Sequence, residues 1–202
     1  ACAGATNCRV PVDLNINPTP QAFQDTLTAC EFAPSSNGAI FDLTTMNGAV
    51  SGNNAAASVD YYFDDALVTQ ILNPTNDTSS TNFIYSKVYY AATGCYSSDR
   101  LYLVVNTLPD FTAGFLTGSA CAPNVLDVAS LINPFSTVPP GSDTLYYEDP
   151  AYSIPHPNPH AIGQSDTVYM VIVTNSTPAC SDSAIAIVDV QGGTSQMLAR
   201  DG

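Results

Sequence analysis

The feature that most constrains this sequence is an internal repeat. From Tyr85 to Asn106, two runs of β-branched and aromatic residues flank a polar link that contains Gly94 and Cys95. This pattern is typical of a β-hairpin with a cysteine beside its turn. It recurs from Tyr169 to Val190, around Cys180. A repeat of this kind indicates two copies of one small fold.

The repeat extends toward the N-terminus of each copy. Cys30 precedes Val59-Asp-Tyr-Tyr62, and Cys121 precedes Thr144-Leu-Tyr-Tyr147 in the same order. Acidic residues follow both Tyr-Tyr pairs. The repeating unit is therefore roughly 85 to 90 residues long, a size at which a domain folds alone if other links help it.

A third, shorter copy opens the chain. Its apolar residues are Val10, Val12, Leu14 and Ile16. They alternate with polar residues or proline, which is the period of a half-buried strand. They also match the last strand of each repeat. We expect either the tail of a preceding repeat or a strand donated to a neighbouring subunit's sheet. Both repeats already contain a final strand, which counts against a vacancy for donation.

Short strands separated by turn signals, without a long helix, are typical of a β-sandwich. We predict an all-β chain of two tandem immunoglobulin-like (Ig-like) β-sandwich domains with an extra N-terminal strand. The predicted segments are 1–17 for that strand, 18–108 and 109–191 for the repeats, and 192–202 for a C-terminal tail.

Charge and composition narrow the class of partner. Four Lys plus Arg stand against eighteen Asp plus Glu, a formal charge of −14, so nucleic acid and anionic membranes are disfavoured as partners. No apolar run is long enough to predict a membrane span. The chain begins without a basic or apolar prefix, so a secreted protein would be represented here by a mature or excised form.

Six cysteines at positions that follow the repeat indicate disulfides formed in an oxidising compartment. We expect Cys30 to pair with Cys95 and Cys121 with Cys180. Each bond would close a loop of about 60 residues and stabilise the fold by roughly 4 kcal/mol. The remaining two cysteines are Cys2 and Cys8. Either they pair with each other, or Cys8 belongs to the tail of a preceding repeat.

Residues that could support catalysis or metal binding are few. His156 and His160 are four residues apart, but the prolines around them exclude the helix that would direct both to one metal. Acidic pairs recur after the Tyr-Tyr pairs, as Asp64-Asp65 and Glu148-Asp149. They indicate solvated acidic turns, with calcium binding by their oxygens as the alternative. We predict no enzyme and no catalytic residue.

Both repeats resemble a known family. The relevant runs are Phe41–Val50, Val59–Tyr62 and Leu101–Pro109 in the first copy, and Leu126–Pro134 and Ile162–Tyr169 in the second. They are similar to the Ig-like tandem repeats of large surface proteins of Bacteroidota, including gliding-motility adhesins exported by the type IX route. The resemblance implies an extracellular, cell-surface location.

The same resemblance implies O-glycosylation at Asp followed by Ser or Thr and a small or apolar residue. The acceptors that fit this pattern are Thr26, Thr144, Thr167 and Ser183. Two asparagines fit the N-linked acceptor pattern: Asn76 and Asn175. The alternative is that these are solvent-facing residues of strands and loops without glycans.

Two functions follow as expectations. The first is a structural unit of an extracellular fibre or adhesin that partners with copies of itself and carries covalent glycans. The second is a carbohydrate-binding or adhesive module that uses the many tyrosines. A planar row of exposed tyrosines would favour the second function, and buried tyrosines would favour the first.

Overall fold

The computed structural model describes residues 12–133 and 136–192. These ranges contain ten strands and only short helical turns. The strands are β1 Asp25–Cys30, β2 Gly38–Phe41, β3 Ser58–Tyr62, β4 Asp77–Ser80, β5 Asn82–Tyr89, β6 Tyr96–Asn106, β7 Phe115–Cys121, β8 Asp143–Tyr147, β9 Asp166–Val173 and β10 Ser181–Gln191. The helical elements are 3-10 turns at Leu43–Met46 and Val128–Leu131, and the single-turn helix α1, Asn47–Val50.

The sheet topology reproduces the repeat. One four-stranded sheet has the order β1-β6-β5-β3, and the other has the order β7-β10-β9-β8. Each strand of the first sheet therefore has a counterpart in the same place in the second. The prediction of an all-β chain with Ig-like sandwiches is confirmed. The domain boundaries predicted from the sequence remain predictions.

Strand pairing in the second sheet follows from side-chain alternation. In β9, Val168, Met170 and Ile172 are fully buried while their neighbours are not, and β10 alternates in the same way. Because successive side chains of a strand point to opposite faces, one face of the sheet becomes the core. β10 pairs antiparallel with β9 and parallel with β7.

The chain forms two compact units. The first comprises the described residues of 1–25 with Leu43–Pro74 and Phe83–Leu101, and the second those of Thr26–Asp42, Thr75–Asn82 and 102–202. Buried residues of the first unit include Leu43, Val50, Tyr61, Ile84, Val88 and Leu101. In the second unit, the residues on the buried face of β9 and β10 form a core with Phe111, Leu116, Val128 and Ile162.

Within this chain, the described residues of the predicted N-terminal strand pair with neither sheet, so a strand donated to a neighbouring subunit remains a prediction. Val12, Leu14 and Ile16 lie in no strand, and their exposed fractions are 76%, 88% and 91%. The physical reason is the one that the repeat suggested. The segment matches the last strand in sequence of each repeat, and in the two sheets that place is already taken by β6 and β10. Val10 lies outside the described residues.

Candidate functional site

A disulfide links the two repeats. Cys30, the last residue of β1, is bonded to Cys180, which directly precedes β10. Their Cα atoms are 5.7 Å apart, and 150 residues separate them in sequence. Both cysteines lie in the second compact unit. This bond joins the first copy of the repeat to the second, whereas the sequence analysis placed one bond inside each copy.

The predicted pair Cys121–Cys180 is wrong because its members lie at opposite ends of one strand. The backbone N–H of Ala122 donates to Gln191, the last residue of β10, so Cys121 lies beside the end of that strand. Cys180 precedes its start. Eleven residues of strand span about 36 Å, whereas a disulfide requires Cα atoms within about 7 Å.

The predicted pair Cys30–Cys95 fails for the same reason. Glu31 N–H donates to the carbonyl of Asn106, the last residue of β6, which places the end of β1 there. Cys95 directly precedes the first residue of β6. Cys95 is a free thiol, half-buried, and Cys121 is a free thiol that is exposed. The predicted roles of Cys2 and Cys8 lie outside the described residues.

A buried carboxylate supports the chain beside the bond. Glu31 follows Cys30 and is 7% exposed. One of its carboxylate oxygens accepts a hydrogen bond from the backbone N–H of Asn37 at 2.8 Å, and the other from that of Leu108 at 3.0 Å. Leu108 belongs to the link between the repeats. Glu31 therefore ties this link to the loop after β1, a role that the sequence analysis missed.

The loop before Cys180 is held by its own side chains. The Cys180 N–H donates to the hydroxyl of Thr174 at 2.8 Å, and the Ser176 hydroxyl donates to the carbonyl of Pro178 at 2.9 Å. The side-chain amide of Asn106 also donates to that carbonyl, at 3.2 Å. This last contact brings the end of β6 to the loop that carries Cys180. The disulfide therefore closes a junction that hydrogen bonds also define.

The recurrent acidic residues form turns. Asp64 accepts hydrogen bonds from the backbone N–H groups of Val68 and Thr69, and these bonds lower the pKa of its carboxyl. Asp149 likewise accepts hydrogen bonds from the backbone N–H groups of Ala151, Ser153 and Ile154. These bonds lower the pKa of the Asp149 carboxyl. Their carboxylates thus cap the turns, as the repeat predicted.

The histidines lie in separate pairs. The His156 ring contacts the carboxylate of Asp166 at 3.1 Å, and the His160 ring contacts that of Asp127 at 2.9 Å. The hydrogen bond with His160 lowers the pKa of Asp127. Within residues 12–133 and 136–192, no group of three or more His, Cys, Asp or Glu side chains could hold a metal ion.

The predicted glycan acceptors mostly face solvent. The exposed ones are Thr26, Thr167, Ser183, Asn76 and Asn175, and Thr144 is half-buried. Their positions are in strands β1, β8, β9 and β10 and in the loops before β4 and β10. Glycosylation at these positions remains a prediction.

The tyrosines are divided between core and surface. Tyr61 and Tyr62 are buried, and the Tyr61 hydroxyl donates to the side chain of Asn47 at 3.0 Å. A shallow groove of about 370 Å³ in the second unit is lined partly by Tyr147 and Tyr152. The Tyr152 ring meets those of Tyr147 and Tyr169 edge to face, with interplanar angles of 81° and 89°. These three rings therefore form no flat stacking platform.

Comparison with known families finds one match. Residues 26–109 match the FIDD family, described as the Flavobacterium inter-domain disulphide bond domain. The matched stretch runs from β1 through β6 and contains Cys30. It supports a Bacteroidota Ig-like protein, in agreement with the resemblance of the repeats. No curated protein matches the chain.

Several solved structures are similar in part. A titin I-band fragment, I67–I69, is 11% identical with a TM-score of 0.35, and immunoglobulin domains 1–4 of Sidekick-1 are 12% identical with a TM-score of 0.33. Each similarity covers 86% of this chain, and this chain spans 64% of the titin fragment and 48% of the Sidekick-1 fragment. Human mucin-like protocadherin EC1-2 is 10% identical, with a TM-score of 0.30. That similarity covers 85% of this chain and 98% of the protocadherin fragment.

The helices that the structure describes are short. All of them are single turns, and none is long and apolar enough to cross a bilayer. A disulfide-bonded Ig-like chain is compatible with an extracellular protein, because disulfides persist in oxidising compartments.

Proposed function

We propose that this chain is a load-bearing structural unit of an extracellular, cell-surface fibre or adhesin of Bacteroidota. The observation that carries the proposal is the Cys30–Cys180 bond across 150 residues. Tension applied to the two ends of the chain passes through this bond. Everything between the two cysteines is then shielded from the load, including β2 to β9. The Ig-like fold serves here as a mechanical spacer, and the chain is no enzyme.

The shielded length is large. At about 3.5 Å per extended residue, 150 residues hide roughly 520 Å of chain from stretching. With the bond intact, only about 50 residues can be pulled out, an extension of roughly 180 Å. When a fibre built from such units is pulled to its limit, only the chain outside the bond is extended, and that chain includes β1 and β10.

Single-molecule force spectroscopy tests this function. The chain is held at its two ends and stretched with and without a reducing agent. We expect the fully stretched chain to lengthen by about 520 Å on reduction. A Cys30→Ser/Cys180→Ser variant should show the longer extension without reductant. Equal extensions of the oxidised and reduced wild-type chain would refute the load-bearing role of the bond.

Self-association by strand donation and covalent glycans belong to the same proposal. The exposed apolar side chains of Val12, Leu14 and Ile16 support strand donation, because in a donated strand such residues fill a partner's groove while the backbone extends its sheet. Deletion of residues 1–17 should abolish fibres in electron micrographs, and fibres that persist would end this part of the proposal. Intact mass of the secreted protein tests the glycans.

The alternative function, a carbohydrate-binding or adhesive module, receives less support. Sugars stack on exposed aromatic faces, whereas Tyr61 and Tyr62 are buried and the rings around Tyr152 stand edge to face. Binding of labelled bacterial or host glycans that a Tyr152→Ala variant loses would reinstate it.

A further inference from the structure

We infer that two sheet faces of this chain bind each other between copies, without a covalent bond. A cationic-aromatic face of the first unit in one copy binds an apolar face of the second unit in a neighbouring copy. The inference rests on the proposed fibre function, because it names a contact through which such units associate.

The cationic-aromatic face is the solvent side of β5 and of the first half of β6. Alternation in β5 buries Ile84, Ser86 and Val88 and directs their neighbours to the other side of the sheet. In β6, the residues before the buried Leu101 alternate in the same way. All of this face belongs to the first unit. Its side chains are Phe83, Tyr85, Lys87, Tyr89, Tyr96 and Arg100.

The positive charges of the described chain are concentrated on this face. Lys87 and Arg100 are the two Lys or Arg residues in the part of the chain that the structure describes, which contains all but one of the eighteen Asp and Glu. The Lys87 ammonium lies 4.9 Å from the centroid of the Tyr96 ring, and the Arg100 guanidinium lies 4.6 Å from that of Phe83. These rings hold both cations at the surface. One carboxylate, that of Asp60, lies opposite Lys87 in the pairing of β3 with β5.

The apolar face is the solvent side of the sheet β7-β10-β9-β8. In a β-sandwich this side ordinarily carries polar residues, whereas here the register places one large apolar or aromatic side chain of each strand in a single row. Leu145 and Ile187, next to this row, are 41% and 46% exposed. The row consists of Phe115, Ile185, Tyr169 and Tyr147.

The margins of the apolar face are negative. Asp143 begins β8 and Asp189 lies near the end of β10, and both are exposed. The described residues of the second unit include no Lys or Arg. The two faces therefore both offer apolar surface to a partner, and their predominant charges are opposite.

Charge decides which faces of two copies bind. With a formal charge of −14, copies repel each other over most of their surface. Two cationic-aromatic faces would place like charges together, as would two apolar faces, whereas the mixed pairing brings unlike charges together. Because the two faces of this contact differ, each bound copy keeps one face open, and the contact repeats along a filament or closes a ring.

The size of the contact sets its strength. The apolar face has four strands at a spacing of about 4.8 Å, and eight residues of β9 span about 27 Å. A contact over this face buries roughly 1,000 Å² in total, at the low end of specific interfaces. Two free copies therefore bind weakly, and the contact is populated where copies are held at high local concentration, as in a fibre.

An exchange of charge tests the contact in the complete chain, with free thiols blocked by iodoacetamide. The first variant, Lys87→Glu/Arg100→Glu, makes the cationic-aromatic face negative. The second variant, Asp143→Lys/Asp189→Lys, makes the apolar face positive. The wild type, each variant and their equimolar mixture are followed by sedimentation velocity up to about 1 mM, because interfaces of this size are weak.

We expect the average mass of the wild type to rise with concentration and to fall when salt is added. Each variant alone should associate at least about tenfold more weakly, because like charges then lie opposite each other. The mixture should regain the association, since each reversed face meets a face of opposite charge, and misfolded variants would not regain it. The control Asp65→Lys, in the turn after β3 and outside both faces, should associate like the wild type, whereas Asp143→Lys should not.

Three results would overturn the inference. They are a wild type that stays monomeric, variants that associate as strongly as the wild type, and a mixture that associates no better than its separate components. The stretching experiment on the same protein separates this failure from that of the proposed function. Lengthening on reduction without self-association leaves the load-bearing role of the Cys30–Cys180 bond intact, and association without lengthening removes that role but keeps the contact.

Discussion

The stabilising effect of the Cys30–Cys180 bond can be worked out from its loop length. Replacing both cysteines with serine removes the bond without leaving a single free thiol. In the chain-entropy model, a cross-link across 150 residues restricts the unfolded chain by about 5 kcal/mol at 25 °C. A chain of 202 residues loses about 2–4 °C of Tm per kcal/mol. We therefore expect the Cys30→Ser/Cys180→Ser variant to melt about 10–20 °C below the wild type.

The assay is thermal and urea unfolding followed by circular dichroism under non-reducing conditions. The matched control is Cys95→Ser/Cys121→Ser, which removes two thiols that form no bond within the chain and should leave the Tm of the monomer unchanged. Reduction of the wild type should reproduce the Cys30→Ser/Cys180→Ser result. A loss of stability under about 1 kcal/mol would refute the reasoning, because it would mean that the bond does not restrict the unfolded chain as its loop length requires.

Three further predictions test the surroundings of the bond and the core. Glu31→Ala leaves the N–H groups of Asn37 and Leu108 without their partner, so it should lower the free energy of unfolding by about 1–3 kcal/mol, whereas Glu31→Gln, which keeps one acceptor oxygen, should cost less; equal losses in urea unfolding would contradict this role. Ile172→Ala, at a fully buried position, should cost about 2–5 kcal/mol, and the exposed Ile187→Ala, at 46% exposure, should cost clearly less; similar costs would contradict the assigned core. Hydrogen bonds, chiefly from Ile154 N–H, hold the pKa of Asp149 below its ordinary value of 3.8, so its turn is stabilised above that pH and loses this stabilisation as the pH falls through the lower folded pKa; an NMR titration of the carboxyl with a midpoint at or above 3.8 would contradict the capping role.

Much of the fold was predictable because it depends on local patterns. The alternation of Val168, Met170 and Ile172 with less buried residues identifies a half-buried strand. The repeat then predicts that both copies form the same sheet. The strand orders of the two four-stranded sheets agree with this prediction. The turns after the Tyr-Tyr pairs follow from acidic side chains that accept nearby backbone N–H groups, at Asp64 and Asp149.

The disulfide pairing was not predictable by the same reasoning, because connectivity depends on which strand ends meet in space. The repeat located the cysteines but does not say whether a bond stays within one copy. One clue was present in the sequence, because the strand that follows Cys95 is long. A cysteine that lies beside the far end of that strand, as Cys30 does, is too distant to bond to Cys95. The supporting role of Glu31 depends on contacts across 77 residues and has no local signature.

The central claim is that the covalent link runs between the repeats, and mapping the bonds tests it most directly. After free thiols are blocked, combined trypsin and Glu-C digestion under non-reducing conditions separates four cysteines onto four peptides, because the chain is cut after Arg9, Glu31, Lys87, Arg100, Glu148 and Arg200. We predict that peptide 10–31, with Cys30, is joined to peptide 149–200, with Cys180. Peptide 10–31 joined instead to 88–100, with Cys95, would contradict the account.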